Sequence, residues 1–480
     1  MDKDIQTTLL EISKESLDEL VGFVKGYAVV HGIITCRVTP ESPNLPVISP
    51  FAMTLLPSPF KRNLFILANE LQSAYNLMYH RIAQDYDFLN EAFREIRKSD
   101  DFLQRLFEIY ELVRNESGAP PISLEISRSD YMVDGPIGST QMIKQIEYNT
   151  IACGMVVFAP GMYDCHRSTL TKLRKGELVK NMPSNGALVG WARSIVTAWK
   201  MYGSEEAMCL MVVEPVESNI YEIRRLEYCL QETEPKIRVK MLTLREISEK
   251  AQLTDDLRLF IDGIEVALVY FRTGYVPKCY PTKKEWEART MVERSTAIKC
   301  PTVQYQLAGF KRVQQILCEP GVVERYIKDP DTAAKLRKTF ARQYSLQDDD
   351  GDSAIQLALT NPENYVLKPQ REGGGNNLFD GDIPKCLAKV KGTPTQNEYI
   401  LMERVKPTAF SGSIMRPGRA INSEELVSEL GIFGVLISNG DEIVQNEGFG
   451  HAMRTNRVNA TEVGIMSALG GGVDSPYLID

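Results

Sequence analysis

Past Gly118-Ala119-Pro120-Pro121 the spacing of apolar residues changes from helical to strand-like. A change of this kind marks a chain that mixes helices with sheets. Ahead of the switch, Leu17, Leu20, Val21, Val24 and Ala28 recur at helical spacing, and Ile82, Tyr86, Leu89, Phe93 and Ile96 form a second stripe. Asp100-Asp101 is placed to cap a third helix carrying Leu103, Leu106, Phe107, Tyr110 and Val113. Such stripes are core-facing, and the proline-rich stretch 40–59 reads as loop. Beyond the switch, residues 122–133 and 141–152 read as strands around the turn Asp134-Gly135-Pro136. The apolar run 207–213 suits a central strand of a parallel sheet. With a helix near 220–230 and a strand at 265–271, it predicts a small α/β domain whose strand ends line a crevice. The acidic stretch 347–352 reads as an exposed turn. Short strands at 365–367 and 399–402 bracket a glycine loop. Strands at 432–437 and 442–444 flank the hairpin pair Asn439-Gly440. Residues 448–480 read as an ordered loop.

The 480 residues suggest two or three domains. A net charge of −8 argues against coating nucleic acid, which needs a basic surface. The first 20 residues carry six carboxylates and no apolar signal core, so a cytoplasmic protein is expected. The apolar stretch 20–35 is interrupted by Lys25 and is too short to span a bilayer. The nine cysteines are scattered without a C-x-x-C, which fits neither a disulfide framework nor a zinc site. His166 and His451 read as packing or hydrogen-bonding residues.

Chemistry concentrates in Lys368-Pro369-Gln370-Arg371-Glu372-Gly373-Gly374-Gly375-Asn376-Asn377. Three glycines after a strand free the backbone to fold closely over a ligand. The flanking cations and carboxylate suit phosphate and a metal ion side by side. On strand 141–152, alternation places Gln145, Glu147 and Asn149 on one face. Glu147 and Asn149 then offer hard oxygens for Mg2+, and Glu372 could add a third. Arg128 and Asp130 share a face of the preceding strand, where an arginine can bind a carboxylate bidentately. Lys311, beside Gly309 at a helix start, and Lys368, at a strand end, are placed to meet phosphates. Residues 402–405 close an apolar strand and could offer backbone groups to an adenine ring. No Walker A, G-x-G-x-x-G or kinase signature is present, so an ATP site here is of another type.

Several segments in order resemble the eukaryotic glutathione synthetase family. They are Arg128-Ser129-Asp130-Tyr131-Met132, Lys144 to Glu147 with Asn149-Thr150-Ile151, Asn185-Gly186, Tyr270-Phe271-Arg272 with Gly274-Tyr275, Gln306 to Gly309, 366–378, Leu401-Met402-Glu403, 428–434 and Arg454-Thr455. The resemblance implies an α/β (α+β), circularly permuted ATP-grasp fold with a small parallel-sheet substrate domain and a glycine-rich lid. The expected divisions are 1–203, 204–309 and 310–480, with the lid at 345–425. It implies ATP-dependent joining of γ-glutamylcysteine to glycine through an acyl phosphate, in a cytoplasmic homodimer with no nucleic-acid or membrane partner. Two Mg2+ ions per site are implied, held by Glu147, Asn149 and Glu372. ATP contacts fall on Glu147, Lys311, Lys368, Pro369, Gln370, Arg371, Glu372, Gly373, Gly374, Gly375, Asn376, Asn377, Phe379, Met402, Glu403, Arg404, Val405, Glu429, Asn456 and Glu462. Substrate contacts fall on Arg128, Ala152, Cys153, Gly154, Glu217, Ser218, Asn219, Ile223, Arg272, Thr273, Gly274, Tyr275, Arg454, Ile465 and Met466. Catalytic roles fall on Arg128, Lys368 and Arg454.

The chain also departs from the family pattern. Ala152-Cys153-Gly154 replaces a stretch that often bears a hydroxyl. Ile223 stands for a glutamine, Asn456 for a lysine and Phe379 for a tyrosine. Ile465-Met466 replaces a pair of small residues at the amine-acceptor pocket, which raises another small amine such as β-alanine as an alternative acceptor. A nucleotide-binding protein without catalysis is a third reading. It leaves the retained Glu147, Asn149, Glu372, Lys311 and Lys368 without purpose.

Overall fold

A computed structural model describes residues 14–39, 42–117, 122–136, 139–419, 421–458 and 471–480. Its largest sheet runs in the order Ile414–Met415, Met53–Thr54, Gly472–Asp474, Glu442–Arg457, Glu424–Asn439, Ile122–Asp134, Met142–Asn149, with Phe410–Gly412 also on Glu424–Asn439. The helix Arg62–Ala83 covers one face, and Ala187–Tyr202 lies on the other side of the core. Close approach to the first helix depends on Gly434, because a Cβ there would collide with Asn76 Oδ1 and Gln72 Nε2. Tyr79 stacks on Tyr148 of the sheet at 3.7 Å between ring centroids.

The second sheet carries parallel strands Val239–Leu242, Met208–Val212, Ile264–Phe271 and Ile298–Cys300, continued by antiparallel Leu259–Ile261 and Ala251–Leu253. Every residue of Met208–Val212 is buried, which is why it reads as an unbroken apolar run. The third sheet is antiparallel, in the order Gln343–Ser345, Tyr399–Glu403, Tyr365–Pro369, Leu378–Phe379. Helices Asp348–Thr360 and Asp382–Val390 accompany it. This module has its own core, including Leu346, Ile355, Leu367, Ile383, Leu387 and Leu401.

Several local expectations change. The stripe Ile82 to Ile96 is split among three elements: Ile82 belongs to Arg62–Ala83, residues 86–93 form a helix, and Ile96 starts a 3-10 turn. The break falls at Asp85, whose carboxylate caps the new helix by accepting from the Phe88 amide at 3.0 Å. The described part of the proline-rich stretch is extended rather than looped, with strands Ser42–Pro50, Met53–Thr54 and Ser58–Lys61. Proline fits there because these strands are short or lie at an edge, where a missing amide costs little. The acidic stretch opens the helix Asp348–Thr360 instead of forming a turn, since carboxylates suit a helix N-terminus. The C-terminal hairpin is far longer than its apolar pattern: Glu424–Asn439 pairs with Glu442–Arg457, followed by strands Gly472–Asp474 and Pro476–Ile479. The switch segment 118–121, Glu462, Ile465 and Met466 lie outside the described residues.

All nine cysteines are free. His166 hydrogen-bonds Ser475 Oγ at 2.7 Å and the Thr54 carbonyl at 3.1 Å, while His451 meets Phe65 edge-on. No helix among the described residues is long and apolar enough to cross a membrane.

Candidate active site

The strand Met142–Asn149 does not keep a simple alternation. Against its neighbour, Asp130 pairs with Glu147 and Tyr131 with Gln145, so Ile146 is an extra residue in a β-bulge. The bulge reverses the phase: Ile143, Gln145 and Tyr148 are buried, while Lys144, Glu147 and Asn149 are partly exposed. Gln145 therefore does not share a face with Glu147 and Asn149, which corrects the period-two expectation. The bulge also turns the Ile146 carbonyl to accept from Lys368 Nζ at 2.7 Å, which ties the loop strand to this sheet.

Lys311 opens the helix Lys311–Leu317, as its sequence context predicts, and is 3% exposed. Its ammonium donates to Glu147 Oε1 and, at 2.7 Å, to Glu372 Oε1. Two carboxylates, one on the strand Met142–Asn149 and one in the glycine loop, thus converge on one cation. Burial raises the proton affinity of both, but Lys311, Lys368 and Arg454 outweigh it at Glu147 and hold that carboxylate low. Glu372 is pushed up, by burial first and by the Glu147 carboxylate beside it. Two neighbouring carboxylates are a donor set that would suit a hard divalent cation.

Beside it, Arg128 reaches Asp130 through Nε at 2.6 Å and Nη2 at 2.8 Å, and the Gly154 carbonyl through Nη1 at 3.1 Å. Arg454 Nη2 meets Asp130 Oδ2 at 3.1 Å and also pairs with Glu429. Asn149 Nδ2 donates to Asp130 Oδ2 at 2.9 Å. Gly431 makes room for this cluster, because a Cβ there would lie 2.7 Å from both Arg128 Cδ and Asp130 Oδ1. Arg272, at the end of Ile264–Phe271, donates to the Ala152 and Cys153 carbonyls at 3.3 Å and to Glu222 at 2.8 Å. Glu222 also accepts from the Met155 amide at 2.8 Å. Ala152 and Met155 have φ of 53° and 75°, conformations that side chains adopt at a cost. Sequence reasoning assigned no role to Asp130 or Glu222. Asp130 showed as a neighbour of Arg128, but Glu222 looked like one more charge on a helix.

Other predicted residues fall into place unevenly. Gly373, Gly374 and Gly375 have φ of 94°, 68° and 75°, a run of left-handed backbone that only glycine takes without strain. Gly373 lies against Tyr275, whose Cε2 is 3.1 Å from a Cβ built there. Asn376 donates to the Glu372 and Gly374 carbonyls at 3.2 and 3.1 Å. Gln370 accepts from the Arg312 amide at 3.0 Å. Arg371 pairs with Asp100, away from the Lys311 cluster, and Asp100 caps the following helix through the Phe102 and Leu103 amides. Phe379 and Met402 flank Val366 on neighbouring strands, and Arg404 covers the Phe379 ring at 5.4 Å. Glu403 accepts from Tyr344 at 2.7 Å. Glu217 accepts from the Asn219 amide at 3.0 Å, and Thr273 reaches Glu214 at 3.4 Å. The Gly274 carbonyl accepts from Tyr280 at 3.0 Å and Gln306 at 3.1 Å. Ile223 and Cys153 are core residues, so their side chains are not offered to a ligand, and the Ile223 amide is taken by the Asn219 carbonyl at 3.2 Å. Asn456 is 1% exposed and its side chain accepts from the Arg457 amide at 2.9 Å.

The family described as eukaryotic glutathione synthase, ATP binding domain, matches residues 14–478. A glutathione synthetase of Xenopus laevis is 39% identical over 466 residues, 96% of this chain and 97% of that one. The Homo sapiens glutathione synthetase is 38% identical over 470 residues and 97% of each chain. A chloroplastic glutathione synthetase of Solanum lycopersicum is 37% identical over 431 residues, 89% of this chain and 77% of that one. Among solved structures, an apo glutathione synthetase-like effector from Globodera pallida superposes with a TM-score of 0.78 at 25% identity, covering 98% of this chain and 99% of that one.

Proposed function

This chain belongs to the eukaryotic glutathione synthetase family, and from that premise we propose how its residues divide the work of ligation. It is an ATP-dependent ligase that joins γ-glutamylcysteine to glycine. A cysteinyl carboxylate oxygen takes the γ-phosphoryl group of ATP, and ADP leaves. The glycine amine then attacks the acyl carbon, the carbon–oxygen bond to phosphate breaks, and the amine loses its proton.

The observation that carries the division of labour is the meeting of Glu147 and Glu372 on one cation. In our reading Glu147, Asn149 and Glu372 hold Mg2+, with up to two ions per site. When bound, the metal neutralises charge developing on the phosphates. Lys311 then turns from the carboxylates to the phosphates, and Lys368 joins it. Residues 368–377 form a lid that covers the nucleotide and keeps water from the acyl phosphate. Phe379 and residues 402–405 take the adenosine, with Glu429 and Asn456 near it. Arg128, Arg272 and Arg454 receive the carboxylates of the peptide, and the 152–154 carbonyls, residues 217–219 and residues 273–275 line its path. Arg371 would leave Asp100 if it is to reach ATP. We place the divisions at 1–203, 204–309 and 310–480, in a circularly permuted ATP-grasp arrangement with the lid at 345–425, and we propose a cytoplasmic homodimer.

The test is ADP release from ATP and Mg2+, with γ-glutamylcysteine and glycine added singly and together. Turnover should need both, and no stimulation by either sinks the reading. Replacing glycine by β-alanine in the same assay examines the acceptor. The Ile465-Met466 pair motivates that comparison, and a clear preference for glycine removes the alternative.

A further inference from the structure

Asp130 is fully buried, and its two oxygens accept from three side chains: Arg128 at 2.6 and 2.8 Å, Asn149 at 2.9 Å and Arg454 at 3.1 Å. We propose that Asp130 is a positioning residue that sets the direction of the Asn149 amide, and with it the oxygen offered to the metal, while aiming two guanidinium groups at the peptide site.

A side-chain amide has nearly the same shape in either orientation, so its partners decide which atom points where. The Asn149 atom facing inward lies 2.9 Å from Asp130 Oδ2 and 3.3 Å from the Arg128 main-chain oxygen. Both are acceptors, so that atom must be Nδ2. Oδ1 is left without a donor among the described residues and is available to a cation beside Glu147. The same carboxylate fixes the arginines. Arg128 has its Nε and Nη2 on Asp130 and its Nη1 on the Gly154 carbonyl, so its plane cannot rotate. Arg454 is tied through Nη2, which Asp130 shares with Glu429, and stays 21% exposed, with donors to spare for an incoming carboxylate. Gly431 leaves the gap in which this happens.

Asp130 Oδ2 takes the bonds from Arg128 Nη2, Asn149 Nδ2 and Arg454 Nη2, whereas among the described residues Oδ1 takes only Arg128 Nε. An alanine at position 130 removes the nearer of the two acceptors that hold the Asn149 amide and leaves the Arg128 main-chain oxygen at 3.3 Å. The amide can then turn and offer the cation its NH2, which cannot ligate. A carboxylate at position 149 has two equivalent oxygens, so it offers an oxygen in either orientation and needs no partner to direct it.

This inference rests on the assignment of Asn149 as a metal-holding residue. Its test needs neither peptide nor glycine. Binding of Mn2+ with ADP to the full chain can be followed by the loss of the free Mn2+ paramagnetic resonance signal. Asp130→Ala should weaken Mn2+ binding by about tenfold, the scale seen when a partner orienting a metal ligand is lost. In the Asn149→Asp background the same change should cost less than about threefold, because a carboxylate at position 149 needs no orienting partner. A purely structural role for Asp130 predicts equal losses in the two backgrounds. Unchanged affinity in Asp130→Ala, or an equal loss in both backgrounds, overturns the proposal. Should Asp130→Ala not fold, the double variant, which keeps a carboxylate in the cluster, decides by whether it binds Mn2+ within about threefold of Asn149→Asp. Unaltered Mn2+ affinity in Asn149→Ala overturns the metal role and this inference together. A failed ligation assay with the Mn2+ pattern intact overturns only the substrate reading.

Discussion

The two sides of the cleft hold their charges by opposite means. On the sheet side, Arg128, Asp130, Arg454 and Asn149 are locked to one another above Gly431, on neighbouring strands of one sheet. On the loop side, residues 368–377 carry equal chemical weight on three left-handed glycines, with side-chain anchors that include Lys368 on the Ile146 carbonyl, Gln370 on the Arg312 amide, Glu372 on Lys311, and Arg371 on Asp100. A sheet presents a prearranged set of donors and acceptors that need no ordering when substrate arrives. A loop from a separate module can open and close.

Three experiments press on this contrast. The largest effect is expected where the two sides meet. Glu372→Ala should lower kcat/KM by about a hundredfold or more, since it removes a proposed metal oxygen from the loop side. The unfolding temperature should barely move, and activity within a few-fold of the parent would take Glu372 out of the site. The next experiment makes the same substitution on both sides. Gly431→Ala drives a methyl into Arg128 and Asp130 and should cost about 1–3 kcal/mol of stability as well as activity. Gly374→Ala meets nothing within 4 Å but must hold a φ of 68°. Its strain of about 1–2 kcal/mol should emerge as weaker nucleotide binding at an unchanged unfolding temperature. Equal loss of thermal stability in the two variants would erase the distinction between sheet and loop.

The smallest effect lies on the other face of the sheet. Glu125 is fully buried, its Oε1 accepts from Tyr148 at 2.9 Å, and burial pushes its pKa up to about 8. Its folded pKa exceeds its unfolded value of about 4.3. Its contribution to stability is thus complete at low pH and is lost as pH rises through about 8. Unfolding temperatures from pH 6 to 9 should therefore fall more steeply for the parent than for Glu125→Gln. Parallel slopes would mean that Glu125 is ionised or hydrated in the folded chain. The buried His80, His166 and His451 act in the opposite sense. Burial lowers each to about 4, so their contribution is complete above the ordinary histidine value and fades as pH falls toward about 4.

Local pattern located the glycine loop, the apolar strand Met208–Val212, the start of the helix at Lys311 and the placing of Arg128 and Asp130 on one face, though not their pairing. It failed where a single residue changed the phase. The bulge at Ile146 has no compositional mark, and it alone separates Gln145 from Glu147. It failed also at long polar strands: Glu442–Arg457 is exposed over much of its first half and so lacks an apolar period. The resemblance to a known family supplied most of the residue roles, yet it gave no place to Asp130 or Glu222. Their importance lies in what they hold, and apart from Arg128 their partners come from other segments of the chain.

By itself, then, the sequence determined the residue types at the cleft, the need for glycine at 373–375 and the family of the chain, because these depend on local chemistry and order along the backbone. Only the tertiary structure decided which oxygens converge, that Arg371 lies on Asp100, and which way Asn149 points. Those depend on register between strands and on charges brought together across hundreds of residues, where a one-residue slip turns every side chain to the other face.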